Sequence, residues 1–167
     1  MKNTLIQSKS HSLKHSNIGD AVASLKVVVF EIGNLNFAVR IETVYKVMHQ
    51  TPVYARELNG LRIAHVGDRE IIVVDLHRRL FHSRITADAS KKGYLIIVKN
   101  REGKLCGIPV AVVPALMELP LSKIQVVPES YHQANILAIA SHFCYIPQAE
   151  ASMIIFVLDV EQLLQAA

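Results

Sequence analysis

The chain has 167 residues, 51% of them hydrophobic and 19% charged, which suits one domain or two small lobes sharing a core and excludes a wholly disordered protein. Its net charge of +4 comes from 18 basic and 14 acidic residues that are scattered rather than gathered into a stripe, so specific nucleic-acid binding is not indicated. Aromatic residues make up only 6% and Trp is absent; the apolar content is Val, Ile, Leu and Ala, a composition that favours strands.

Residues 1–23 are polar and without a sustained period, and read as a flexible tail with a short helical turn over 20–23. This start lacks the apolar stretch of a signal peptide. No run approaches 18 uninterrupted apolar residues, so no membrane-spanning helix is expected and a cytoplasmic location follows. His11 and His15 stand four apart, a spacing that puts two ligands on one helix face, but two solvated histidines in the tail are the simpler reading.

Residues 24–167 form the ordered domain. Lys26 to Ile32 reads as a strand ending at the turn pair Gly33-Asn34, and Asn36 to Val39 as the strand that follows. Val44, Val47 and Met48 recur at helical spacing, which predicts a short helix over 42–48. After Pro52, Leu61 to Val66 reads as a strand, 67–70 as a polar turn and Ile71 to Val74 as a short buried strand. Asp75 then precedes an apolar-periodic run to Phe81, where a carboxylate caps the free N–H groups of a helix start. Residues 82–93 are a polar linker. Strands are expected at 94–98, 105–110, 115–119, 136–143 and 152–158, with Asp159 before a last helical run over 160–164.

The chain repeats itself. With an offset of 69, Val27-Val28-Val29 falls on Ile96-Ile97-Val98, Ala38 on Gly107, Val39 on Ile108, Val44 on Val113, Val47 on Leu116 and Met48 on Met117. With an offset of 84, Asp75 falls on Asp159 and Leu80 on Leu164. The extra length of the second half lies in Pro120 to Asn135. A lone hairpin cannot bury its apolar face, whereas two lobes facing each other can. The expected fold is all-β with a few short helices: two small β-barrel lobes sharing an apolar core.

Chemistry-bearing motifs are missing. The chain has no Gly-rich phosphate loop, no Gly-x-Ser-x-Gly, no His-Glu-x-x-His and no Cys-x-x-Cys. His65, His77, His132 and His142 are dispersed, and their spacing suggests no zinc site. Cys106 and Cys144 stand in apolar runs and read as buried free thiols; a Cys144–His142 thiol–base pair is the alternative. Asp75 as a catalytic carboxylate is weaker than Asp75 as a cap. No catalytic, metal or cofactor residue is therefore assigned. What remains is surface: strand edges and an inter-lobe groove suited to an added strand or a docked helix.

Four segments, VVVFEIGNLNFAVRIETVYKVM, IIVVDLHRRLF, GYLIIVKNREGKLCGIPVAVV and MIIFVLDVEQLL, resemble the CheW-like domain in order and spacing, over about residues 25–164. The resemblance implies two intertwined five-stranded barrels and a non-catalytic adaptor. Its partners would be a CheA-like histidine kinase and a methyl-accepting chemoreceptor-type protein, in taxis or type IV pilus motility. In that family one lobe docks on the homologous kinase lobe, and the receptor's helical tip lies between lobes. Carried over, Val44, Lys46, Val47 and Met48 would face the kinase, and the loop Gly67, Asp68 and Arg69 the receptor. The chain departs from the family where Lys46 replaces a frequent Glu and where Ala111 replaces an acidic residue. Gly67 and Asp68 stand in place of an Arg-Gly turn, and 60–75 is about two residues longer than usual. Charge complementarity sets partner choice, so these changes imply rewired partners. Two other readings are a small-molecule sensor using the inter-lobe groove and an RNA-binding barrel with Tyr45, Tyr54 and Tyr94 as stacking residues.

Overall fold

The computed structural model describes residues 22–49, 62–82, 93–132 and 138–165. His11, His15, Tyr54, the tail before Val22 and most of the 82–93 linker lie outside them. The first hairpin is β1 (Ser24–Ile32) and β2 (Leu35–Arg40), turned at Gly33 with φ +62°. A 3-10 turn, Ile41–Thr43, leads into β3 (Val44–His49). A second hairpin, β4 (Arg62–Val66) and β5 (Arg69–Val73), runs into helix α1 (Leu76–Phe81). The second half repeats the order. It has the hairpin β6 (Tyr94–Lys99) and β7 (Leu105–Val110), then β8 (Ala115–Pro120), and a hairpin β10 (Ala140–Ile146) and β11 (Met153–Leu158) leading to α3 (Val160–Gln165). Between β8 and β10 come a 3-10 turn, Leu121–Lys123, the short strand β9 (Ile124–Val126) and helix α2 (Glu129–His132).

The strands form two sheets, ordered β8-β1-β2-β11-β10-β9 and β3-β6-β7-β5-β4. Each half contributes its first hairpin to one sheet and its remaining strands to the other. The two offsets seen in the sequence reappear as equivalent pairings between halves. In one sheet Ile72 pairs with Cys106 and Val73 with Gly107; in the other Phe156 pairs with Phe37 and Val157 with Ala38. Moving Ile72 and Val73 forward by 84 gives Phe156 and Val157, and moving Cys106 and Gly107 back by 69 gives Phe37 and Ala38, so the repeat is structural.

Three apolar layers result. Val28, Phe30, Phe37 and Val39 from one sheet meet Ile96, Val98, Cys106 and Ile108 from the other in a central layer. Val27, Val29, Ala38, Cys144, Ile155 and Val157 fill the lobe of the first sheet. Ala64, Ile71, Val73, Leu95 and Ile97 fill the other lobe. The central hairpins are thus buried on both faces, which is why Val27-Val28-Val29-Phe30 shows no polar alternation. Among the described residues no polar or charged side chain is buried.

Asp75 caps α1, its carboxylate accepting from Arg78 N at 3.0 Å and from Arg62 Nη1 at 2.8 Å. Asp159 caps α3, accepting from Glu161 N at 2.9 Å. Both caps stand where the sequence places them.

Several expectations are corrected. Residues 42–48 are not a helix: they leave the 3-10 turn and pair with β6 as an edge strand. The cause is a bulge at Tyr45, between Val44 opposite Val98 and Lys46 opposite Ile97. One extra residue puts Val44 and Val47, three apart, on the same face and imitates a helical period. The polar turn 67–70 is shorter, since Arg69 and Glu70 already belong to β5. The strand expected at 136–143 runs over 140–146. Among the described residues one sheet has six strands, because β9, which follows β8 after a 3-10 turn, pairs with β10 at the opposite edge.

Candidate docking site

The two lobes leave an apolar groove of about 280 Å³ where their edge strands approach. Val28 and Met48 lie at its base, Val47 and His49 come from β3, Tyr94 from β6, and Val113, Pro114 and Leu116 from β8 and the turn before it. The repeat explains this composition: Val47 and Leu116 are equivalent positions, as are Val44 and Val113, and each comes from the strand its half lends to the opposite sheet. Val47 is 39% exposed, Val113 61% and Leu116 67%, so the rim presents branched apolar side chains to solvent. Val112, 58% exposed, extends the same surface along the chain.

Only His49 and Tyr94 bring polar groups to the lining, and their rings lie 4.9 Å apart. Among the described lining residues none carries a carboxylate, ammonium or guanidinium. Nothing there positions a nucleophile or balances a charged ligand. Among the described residues no group of three or more His, Cys, Asp or Glu is placed to hold a metal.

The four residues expected to face a kinase divide by burial. Val44 is half-buried and packs on the central layer, and Met48 packs into the lobe of the second sheet. Lys46 and Val47 are exposed, Val47 at the groove. Lys46 forms no ion pair among the described residues. Gly67 and Asp68 form the tight β4–β5 turn, with Gly67 at φ +59°, and Arg69 opens β5 opposite Val66. Strands β6, β7 and β5 stand between β3 and β4 in the sheet order, so the two sets are not on one hairpin.

The cysteines are buried free thiols. Burial pushes the Cys106 thiol up to about 12. It raises Cys144 as well, against the nearby charge of Lys123. His142 Nδ1 lies 2.9 Å from Ser141 Oγ, and the upward shift of Cys144 is opposite to that of an activated thiolate. The histidine–thiol pair therefore has no support in the geometry.

Residue-level reading of the sequence missed the β8 side of the groove. The signal was present, because the offset of 69 already placed Leu116 on Val47 and Val113 on Val44.

No curated protein sequence matches the chain. Solved structures do: the crystal structure of the scaffolding protein TtCheW from Thermoanaerobacter tengcongensis aligns with a TM-score of 0.66 at 18% identity, over 92% of this chain and 93% of that one. The agreement fixes the fold. The sequence profile of the CheW-like domain matches residues 26–167, nearly all of the chain. The chain therefore belongs to the CheW-like domain family.

Proposed function

We propose that the chain is a non-catalytic signalling scaffold that holds a CheA-like histidine kinase and a chemoreceptor-type protein together in the cytoplasm, serving taxis or type IV pilus motility. The observation that carries this reading is the exposed apolar groove between β3 and β8, each the edge of its sheet among the described residues, with no charged side chain among the described residues that line it. A groove of that shape takes an apolar helical surface. Lys46 and Val47, exposed on β3, form the edge offered to the kinase lobe, and Val47 lines the groove as well. Gly67, Asp68 and Arg69 supply a separate turn for the receptor. No helix among the described residues is long and apolar enough to cross a membrane.

A metabolite is a poorer occupant. The groove lies at the lower limit of typical ligand pockets and offers two polar groups, where small molecules are oriented by several.

The test is capture of the cognate CheA-like kinase and of a receptor tip fragment by Val47→Asp and Leu116→Asp variants. Each is expected to weaken at least one of the two partners more than tenfold while circular dichroism stays unchanged. Binding of both partners within twofold of the parent in both variants would remove the groove from the docking surface. Lys46→Glu should weaken the kinase pair at low salt, and equal affinity there would take Lys46 out of the interface.

A further inference from the structure

Four strand pairings, β1–β8, β2–β11, β3–β6 and β5–β7, cross between the first half (24–82) and the second (93–165). Among the described residues, the pairings within a half are only hairpins and the short β9–β10 contact. Taken alone, the first half would leave Val28, Phe30, Phe37 and Val39 without the residues that cover them, and β3 without any strand partner. Each half is thus the missing part of the other. In sequence the halves are joined only through the stretch between α1 and β6.

We infer that a second copy of this chain can supply the missing half, giving a dimer in which the first half of each copy completes both lobes with the second half of the other. The exchanged dimer contains the same contacts as two monomers, so no new interface is required. The balance between the forms is set by the effective concentration of one half around the other. For a short connector that is on the order of millimolar. Monomer prevails at micromolar chain concentration, and dimer becomes appreciable near 1 mM. Conversion requires all four crossing pairings to open, so a dimer formed on refolding persists after dilution. It carries two grooves and two copies of each docking edge. The inference rests on topology and does not depend on which partners dock.

Lys26 and Glu118 are exposed register partners on β1 and β8, with Nζ and Oε1 3.9 Å apart, and they report the exchange directly. A Lys26→Cys/Glu118→Cys chain closes its disulfide within one chain as a monomer and between two chains as an exchanged dimer. After refolding at about 1 mM and oxidation, the dimer seen by light scattering is expected to run as a covalent dimer on a non-reducing gel. The same chain refolded at about 1 µM should run as a monomer. In parallel, tagged and untagged parent chains refolded together at the higher concentration should give a mixed dimer that survives hours at the lower one. Absence of any dimer at 1 mM, a dimer that separates into monomer bands on the gel, or a mixed dimer that dissociates within minutes of dilution would each overturn the inference.

Discussion

The two helix caps give the chain an internal control. Asp75 and Asp159 are equivalent in the repeat and both accept backbone N–H groups at a helix start. Asp75 accepts one such group, from Arg78 N, and Asp159 two, from Glu161 N and more weakly from Gln162 N at 3.5 Å; the larger difference is in side-chain partners. Asp75 also accepts from Arg62 Nη1 at 2.8 Å, in a pair whose side chains are 28% and 27% exposed. Losing a cap costs about 1 kcal/mol. The ion pair adds about 1 kcal/mol more, well below the value of a buried pair because both groups keep contact with water. Asp159→Ala is therefore expected to lower stability by about 1 kcal/mol, and Asp75→Ala by about 2 kcal/mol. Asp75→Asn keeps an adequate cap and loses only the charge, so it should fall near 1 kcal/mol. In a domain of this size these become melting shifts of roughly 3, 6 and 3 °C. Urea melts with unchanged slope would report the same order. Equal losses for Asp75→Ala and Asp159→Ala, or for Asp75→Asn and Asp75→Ala, would refute the separation of cap from ion pair.

Three more outcomes follow from packing and burial. A Cβ on Gly107 would lie 2.9 Å from Leu95 Cδ1 and 3.3 Å from Ile71 Cδ1, so Gly107→Ala should lose about 1 kcal/mol net in a denaturant melt, overpacking outweighing the gain from a stiffer unfolded chain. The Cys106 thiol ionises near 9 when unfolded and keeps its proton to about 12 when folded. Stability is thus fully present below pH 9 and falls above it by up to about 1.4 kcal/mol per pH unit, a slope that Cys106→Ala should flatten. Val44→Glu should lower the melting temperature because Val44 packs on the central layer, while Val47→Asp should change stability by less than about 1 kcal/mol; thermal melts of the two separate a packing residue from a docking residue.

Much of this protein was legible in its sequence. The turn at Gly33-Asn34, the caps at Asp75 and Asp159, the free buried thiols and most strands depend on local chemistry, which neighbours in the chain already specify. The repeat was legible too, because equivalent positions in equivalent environments select similar residues. The bulge at Tyr45 was not. It puts Val44 and Val47 on one face of a strand, and spacing alone cannot tell that from a helix turn. Strand β9 was missed because three residues carry no period of their own; it exists through its pairing with β10. Similarly, the sequence showed two halves but not that each half lends strands to the other's sheet, since pairing partners are chosen across the chain by burial on two faces at once. That exchange brings Val47 beside Leu116 and makes the groove. The sequence by itself determined a two-part β fold, through local propensity and through equivalent residues at equivalent positions of the repeat. Only the tertiary structure decided where it presents an apolar surface, because exposure belongs to the packed whole and not to any segment of it.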